Sequence, residues 1–235
     1  MAKKSEQVER KARVEELRRA QQAKERRRTL LVVATAGVLV LALVGVVVVV
    51  LRDHVSKQDP ATVGVAAAAA GCDAVITDPA DGGQVHVGPG TDKPEETTVK
   101  YAQVPPSSGA HYASPQYPSV GFYSDKDKPR VESLVHNLEH GYTIVWFDPT
   151  LAKAQQDELR GISERIRDDK TSASKFIVTA WDPAYGAFPS GKKVAISHWG
   201  AKNGYRQLCA TVSGEAIKEF MSAHPWTDAP EPNAA

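Results

Sequence analysis

The chain has 235 residues, of which 24% are charged and 42% hydrophobic, with two cysteines; this composition excludes a disordered, collagen-like or disulfide-dense protein. Its net charge of +1 hides an asymmetry, because residues 1–28 hold eleven Lys and Arg against five Glu, while residues 71–235 carry an excess of acidic groups. An acidic C-terminal part argues against nucleic acid as a partner, since phosphate binding needs a basic surface.

Residues 29–51 form an uncharged run of 23 residues that predicts one transmembrane helix. At about 1.5 Å per residue, the run is long enough for a bilayer core of about 30 Å. Three arginines at 26–28 precede it and only Arg52 and Lys57 follow closely, which predicts a cytoplasmic N-terminus and an outer C-terminal domain. A cleaved signal peptide is the main alternative and lipidation of Cys72 a minor one, but the basic segment and the run are both longer than signal peptides have.

The segments on either side of this run are predicted to lie outside the packed core. Residues 1–28 are predicted to form a basic cytoplasmic tail, largely helical, because they contain many helix formers and no Pro or Gly. We interpret most of this tail as a solvated helix, with its last arginines resting on anionic lipid. Residues 52–70 end in an alanine-rich stretch and are predicted to be a linker.

Residues 71–227 are predicted to form one extracytoplasmic domain, followed by a flexible, proline-rich tail at 228–235. All sixteen aromatic residues fall within the domain, so its core lies there. Cys72 and Cys209 are the only cysteines, and outside the cytoplasm a single pair most simply forms a disulfide. On the chain-entropy model this bond contributes about 4–5 kcal/mol. Metal ligation by the thiolates is the weaker alternative, because neither cysteine lies in a CxxC cluster.

Residue patterning along the domain predicts an α+β fold with a small sheet and about three helices. The predicted strands are Gln84–Val87, Thr97–Tyr101, Tyr142–Phe147, Phe176–Trp181 and Val194–Trp199. The predicted helices are Val131–His140 with Gly141 as its cap, a helix from Asp148 or Thr150 to about Asp168, and a helix capped by Ser213. The residues expected to face the core from the last two helices are Leu151, Leu159, Ile162, Ile166, Ile217, Phe220 and Met221.

The first of these helices carries two histidines opposite its apolar stripe. At 100° per residue, His136 and His140 fall together one turn apart, within reach of one metal ion. A histidine at a helix end also interacts favourably with the helix dipole, and two surface histidines can be accidental. His111, after a rigid proline-rich turn, and His86, in a strand-like segment, are predicted to complete a cluster of imidazoles.

A four-imidazole set without thiolate or methionine suits zinc, Cu(II) or another first-row ion better than Cu(I). The sequence therefore predicts zinc or copper as the cofactor. The other histidines are given no metal role: we interpret His54 and His224 as surface residues and His198 as a core residue that forms hydrogen bonds.

The order His136-x-x-Glu139-His140 also matches the inverted zinc-peptidase signature, in which the glutamate activates water. The match fixes only three residues, the helix is short, and no further acidic ligand is identifiable, so hydrolase chemistry is a minor alternative. Glu139 is more simply a partner that orients an imidazole or forms a salt bridge. The sequence contains no nucleophile elbow, phosphate-binding loop, dinucleotide fingerprint or CxxC motif.

Four linked motifs occur in the outer domain: PPSSGAH at Pro105–His111, GFY at Gly121–Tyr123, VHNLEHG at Val135–Gly141, and Trp199-Gly200. Together with the strand and the Asp-Pro turn after the third motif, they resemble the bacterial family called domain of unknown function 3105. The likeness spans about residues 71–232, and many members of that family resemble actinobacterial membrane-anchored proteins. The resemblance implies no established activity and no catalytic residue. It associates His111, His136 and His140 as motif residues, and His86 also falls at a family histidine position.

We therefore expect a single-pass membrane protein whose extracytoplasmic domain binds a transition metal through His86, His111, His136 and His140 and is not an enzyme. Two alternatives stay open: a zinc-dependent hydrolase that uses Glu139, and a metal-free scaffold for other envelope proteins. The scaffold alternative predicts that His136 and His140 are solvated or lie on separate sides of any pocket.

Overall fold

The computed structural model describes residues 2–56, 59–117, 120–169 and 174–234. The chain separates into two compact units, Met1–His54 and Val55–Ala235. The first unit is a single helix, α1, which runs Ala2–Ser56 and includes the predicted basic tail. Lys57, which was counted with the charges after the apolar run, lies outside the described residues.

Helix α1 contains one stretch, Lys24–Val50, that is long and apolar enough to cross a membrane; its apolar 18-residue window has a mean hydropathy of 3.0. None of the apolar window is buried, and its leucine and valine side chains are between 47% and 73% exposed. Such a continuous apolar surface is unfavourable in water. The stretch therefore has the properties of a membrane anchor or of a signal sequence.

The second unit is an α+β domain, as predicted. Over the described residues its strands are β1 (Ile76–Pro79), β2 (His86–Val87), β3 (His111–Tyr112), β4 (Phe122–Tyr123), β5 (Thr143–Phe147), β6 (Phe176–Ala180), β7 (Val194–Trp199) and β8 (Asn203–Cys209). Its helices are α2 (Val131–Glu139), α3 (Lys153–Asp168) and α4 (Gly214–Ala223).

Six of the strands form one mixed sheet in the order β1-β8-β7-β5-β6-β4. β5 pairs antiparallel with β7 and parallel with β6, and every residue of these three strands is buried. Burial on both faces explains why these strands are largely apolar in sequence. The other two strands, β2 and β3, form a separate parallel pair in which His86 lies opposite His111.

The sheet is covered by helices on both faces. α3 and α4 pack on one face through residues such as Leu159, Ile162, Ile217 and Phe220. α2 packs on the other face through its apolar stripe, Val131, Leu134, Val135 and Leu138, next to Trp146 and Trp199 of the sheet. This second layer also carries the β2–β3 pair, since α2 contacts β3 as well as β5 and β7. The histidine-bearing side of α2 is thus covered by protein.

Two predicted elements differ in the structure. The strand predicted at Thr97–Tyr101 is wrong: this segment is irregular, because the Val99 N–H donates to the Glu132 carboxylate instead of to another strand. The predicted caps of α3 are also wrong, because the helix begins after Ala152 without a side-chain cap. The Asp148 carboxylate instead accepts the N–H and hydroxyl of Thr150 in the preceding turn.

Both ends of the domain are fixed to its body. The sulfurs of Cys72 and Cys209 lie 2.06 Å apart, at disulfide distance, and connect the start of the domain to the end of β8. Residues 59–70, predicted as a linker, contact α4 and form a β-bridge between Gly64 and Ser213. The Ala67 N–H also donates to Glu215 in the first turn of α4 (2.7 Å). These residues therefore pack as part of the second unit.

Candidate metal centre

Helix α2 carries three of the predicted site residues on its last turn. His136 and Glu139 are 5% and 1% exposed, and the helix ends at His140. Gly141 follows with φ of +90°, and a Cβ at this position would lie 2.4 Å from the Trp226 carbonyl oxygen. Only glycine fits there, so the sequence itself fixes where the helix ends and how its histidines are presented.

The other two histidines are brought to α2 by the β2–β3 pair. Their backbones are in register, and the His111 N–H donates to the Val85 carbonyl oxygen (3.1 Å). The two connecting loops approach closely at Gly82, where a Cβ would lie 2.3 Å from the Gly109 carbonyl carbon. Glycine at these positions lets the two loops close together over the end of α2.

Four side chains converge at this point: His86, His111, His136 and Glu139. One potential ligand atom from each lies within 4.8 Å of the other three. The His86 ring stacks on His136 with centroids 5.2 Å apart, and His111 meets both rings edge-on. His111, His136 and Glu139 are buried, whereas His86 is exposed. The group can therefore hold one metal ion at the boundary between the interior and solvent.

Backbone carbonyl groups fix the tautomers of the two buried imidazoles. Nδ1 of His111 lies 2.8 Å from the Gly109 oxygen, and Nδ1 of His136 lies 2.6 Å from the Tyr112 oxygen. Because a carbonyl oxygen can only accept, each Nδ1 carries the proton. In the neutral rings, Nε2 then carries the lone pair; on His136 this nitrogen also lies 2.9 Å from Nε2 of His140. Metal-binding histidines are typically oriented by such a hydrogen bond.

Glu139 adds a carboxylate to these lone pairs. Its Oε1 accepts the Gln84 N–H (2.8 Å), and its Oε2 lies 3.0 Å from Nε2 of His111. That Nε2 is buried but has no hydrogen-bond partner of acceptable geometry among the described residues. With His111 neutral, two acceptors face each other in the interior, which is unfavourable unless a metal ion or a proton on Nε2 lies between them.

The environment also sets the charge states of the cluster. Burial, together with the neighbouring imidazoles, lowers the pKa of His136 to about 4 against the opposing effect of its bond to Tyr112. Burial raises the pKa of Glu139, but the contacts with His111 and the Gln84 N–H outweigh this effect and lower it. At neutral pH the helix therefore presents a neutral imidazole and a carboxylate, the forms that bind metals.

His140 is not among the four converging groups, although it lies beside them. Its Nε2 is 2.9 Å from Nε2 of His136 and 3.6 Å from Oε2 of Glu231, and the residue is 6% exposed. The structure thus brings together three of the four predicted histidines and places Glu139 among them. His136 and His140 are neither solvated nor apart, contrary to what the scaffold alternative predicts.

A C-terminal segment that we call the clasp, residues 226–234, holds the end of α2. The Glu231 N–H donates to the Glu139 carbonyl oxygen (3.0 Å). The Lys175 ammonium group donates to the His140 carbonyl oxygen (2.7 Å) and to two clasp carbonyl oxygens (2.9 and 2.8 Å). The tail predicted to be flexible thus has defined contacts over its described residues; Ala235 lies outside them. The sequence offered no signal for this contact, since the residues are far apart in the chain.

Glu132 is a second residue that sequence reasoning did not identify. Its carboxylate is fully buried and accepts the Tyr185 hydroxyl (2.7 Å), the Val99 N–H (2.9 Å) and the Arg130 Nε–H (3.2 Å). It fixes the segment that leads toward His111 against the first turn of α2. A glutamate in the first turn of a helix is usually assigned to dipole stabilisation, which hides this role.

His198 and His224 are not among the converging groups. His198 is fully buried, and its Nε2 bonds to Asp228 (2.7 Å), which confirms the predicted core role. The surface interpretation of His224 is wrong, because its ring is half-buried and stacks on Tyr205 with centroids 3.9 Å apart. His54 lies in α1, and its side chain is outside the described residues.

Comparison with known proteins gives a family and no closer relative. A family model described as "Protein of unknown function (DUF3105)" matches residues 92–235, more than half of the chain. The match includes His111, His136 and Glu139 but begins after His86, later than the resemblance in the sequence suggested. No curated protein and no solved structure matches the chain.

Proposed function

We propose that this chain, which belongs to the DUF3105 family of proteins of unknown function, binds a divalent transition-metal ion through His86, His111, His136 and Glu139. The observation that carries the proposal is the unpartnered Nε2 of His111, which lies 3.0 Å from the buried Glu139 carboxylate. A cation between the two groups satisfies both. Among the described residues, no hydrogen-bond donor from the protein reaches Nε2 of His111.

The chemistry of the ligands limits the choice of ion. Three imidazole nitrogens and one carboxylate oxygen suit zinc, Cu(II) and neighbouring first-row ions. Both cysteines are at disulfide distance from each other and are unavailable as soft ligands, which disfavours Cu(I). We therefore propose zinc or Cu(II), held for sequestration or delivery and not for catalysis.

We further propose that α1 anchors the metal-binding domain outside the cytoplasmic membrane. The uncharged run at 29–51 within this helix has 23 residues, which span about 35 Å, more than a bilayer core of about 30 Å. Arginines at 26–28 favour a cytoplasmic N-terminus. If α1 is an anchor, the protein stays in alkali-washed membranes at its full mass. Release of a shorter protein would identify α1 as a cleaved signal sequence.

Metal binding is tested on the full chain in detergent. The protein is stripped with a chelator, incubated with zinc or Cu(II), separated from free ion and analysed for metal content. We expect close to one ion per chain, lost in His111→Ala and retained in the control His224→Ala, which removes a histidine outside the cluster. A parent protein that retains no ion, or equal losses in both variants, would refute the proposal.

The hydrolase alternative receives less support from the same geometry. One oxygen of Glu139 accepts the Gln84 N–H, and the other lies 3.0 Å from Nε2 of His111, where in the proposed centre it binds the ion. Its lowered pKa also makes it a weak base for activating water. If the metal-loaded protein hydrolyses peptide or ester probes, and Glu139→Gln abolishes this while retaining the metal, the hydrolase alternative replaces the non-enzymatic one.

A further inference from the structure

The four groups of the metal centre differ in how tightly the protein holds them. His111, His136 and Glu139 are 0%, 5% and 1% exposed, and each has an outer hydrogen bond that fixes its orientation. His86 is exposed. Among the described residues its imidazole contacts two neighbouring rings but has no hydrogen-bond partner.

Resting on the proposed function, we infer that His86 is the exchangeable ligand of the centre and that the ion enters and leaves on its side. The other three groups form the retained part of the site. A centre built in this way passes its ion to an acceptor, whereas a structural centre encloses the ion with equally fixed ligands.

The surface beside His86 supports this assignment. An open depression adjoins the ring and is lined by Gln84, Val85, His86, Thr91, Asp92 and Lys93. Its far wall is a tight turn closed by the Gly88 N–H bonding to the Lys93 carbonyl oxygen (2.9 Å). Solvent and an incoming ligand can therefore reach the ion without passing through the core.

The backbone around His86 allows the ligand to leave while the rest of the site is kept. The Gln84 N–H is bonded to Glu139, and the Val85 carbonyl oxygen is bonded to the His111 N–H. These bonds hold the backbone of residues 84 and 85 in place on the inner side of His86. Rotation of the His86 side chain alone is then enough to open one coordination position, with no change in the three buried groups.

Exchange at this position needs no redox partner. The bond between the ion and one His86 nitrogen breaks, and a bond forms to a neutral donor such as water or an acceptor's imidazole. Neutral donor replaces neutral donor, so the charge of the centre is unchanged. Transfer is complete when the acceptor supplies further ligands that compete with the buried three.

The test measures zinc content and zinc release to a chromogenic chelator from the full chain in detergent. The variants are His86→Ala, His111→Ala and the control His224→Ala. We expect His86→Ala to retain close to one zinc but to release it about tenfold faster or more, in the range found when supporting groups are removed from metal sites. His111→Ala is expected to lose stoichiometric binding. Added imidazole should slow release from His86→Ala toward that of the parent.

The outcomes separate this inference from the proposed function. A parent that binds zinc, together with a His86→Ala variant that releases it at the parental rate or fails to bind it at all, would refute the role of His86 alone. A parent that binds no zinc refutes both. Thermal unfolding of each variant with chelator present identifies a misfolded protein. In that case His86→Asn, which is smaller and remains polar, gives the same comparison of release rates.

Discussion

Replacing Glu139 by glutamine distinguishes a metal centre from a buried ion pair. In the metal centre, the neutral His111 directs a lone pair from Nε2 toward a carboxylate oxygen 3.0 Å away. Without an ion this is a contact between two acceptors. The amide of a glutamine can donate to that lone pair, while its oxygen still accepts the Gln84 N–H. The substitution therefore removes a repulsive contact from the metal-free protein.

Glu139→Gln should have opposite effects on the stability of the metal-free protein and of the metal-bound protein. With a chelator present, we expect the free energy of unfolding of Glu139→Gln to stay within about 1 kcal/mol of the parent or to increase. In the metal-bound protein, the loss of a charged ligand should weaken zinc binding by about 1.5–3 kcal/mol, or about 10–150-fold. At a zinc concentration 100 times the parental Kd, the parent gains about 2.7 kcal/mol of stability and the variant only about 0.3–1.4 kcal/mol.

Denaturant unfolding followed by tryptophan fluorescence measures both quantities, because all four tryptophans lie in the second unit. Glu164→Gln, on the exposed side of α3, is the matched control and should change neither. If His111 is instead protonated and paired with Glu139, the substitution leaves a buried charge without its partner. The metal-free protein would then lose about 3–5 kcal/mol and zinc would add nothing, which would refute the reasoning.

Three further predictions concern the support of the centre. The pKa of His136 is about 4 in the folded protein and about 6.5 in the unfolded protein, so between these pH values only the unfolded state binds the extra proton. The free energy of unfolding of the metal-free protein should therefore decrease as the pH falls from 6.5 to 4. His136→Gln should reduce this pH dependence, measured by denaturant unfolding at each pH. Replacing both Cys72 and Cys209 by alanine should lower the free energy of unfolding by up to about 5 kcal/mol, because the disulfide closes a loop with a sequence separation of 137. An unchanged midpoint of denaturant unfolding would contradict this. Lys175→Met should lower the free energy of unfolding by about 2 kcal/mol and weaken zinc binding, because the carbonyl groups of the clasp and of His140 lose their shared donor. Calorimetric titration with zinc measures the second effect. An affinity equal to that of the parent would contradict a role of the clasp in binding.

The parts of the fold that could be predicted are those whose pattern is local. β5 and β7 are largely apolar and lie close to their predicted bounds. Ser213 caps α4 as predicted, accepting the Ala216 N–H (3.2 Å). β8 and β1 were missed because their sequences are largely polar; they become strands by pairing with each other, and β8 also pairs with β7.

The same distinction applies to the site. The i, i+4 spacing of His136 and His140 placed both on one side of α2, but it could not show which of them joins the other histidines. That choice depends on the register between β2 and β3 and on the Tyr112 carbonyl group that orients His136. The position of Glu139 likewise depends on the Gln84 N–H, a backbone group that no residue pattern encodes.

The clasp sets the order in which the centre can be completed during synthesis. Every ligand, from His86 to Glu139, is made before residues 226–234, so a growing chain holds the whole ligand set before it holds the segment that fixes the end of α2. Ligands without their supporting contacts bind an ion more weakly. If the centre holds an ion, as we propose, firm retention of that ion is expected only after residues 226–234 have docked on the end of α2.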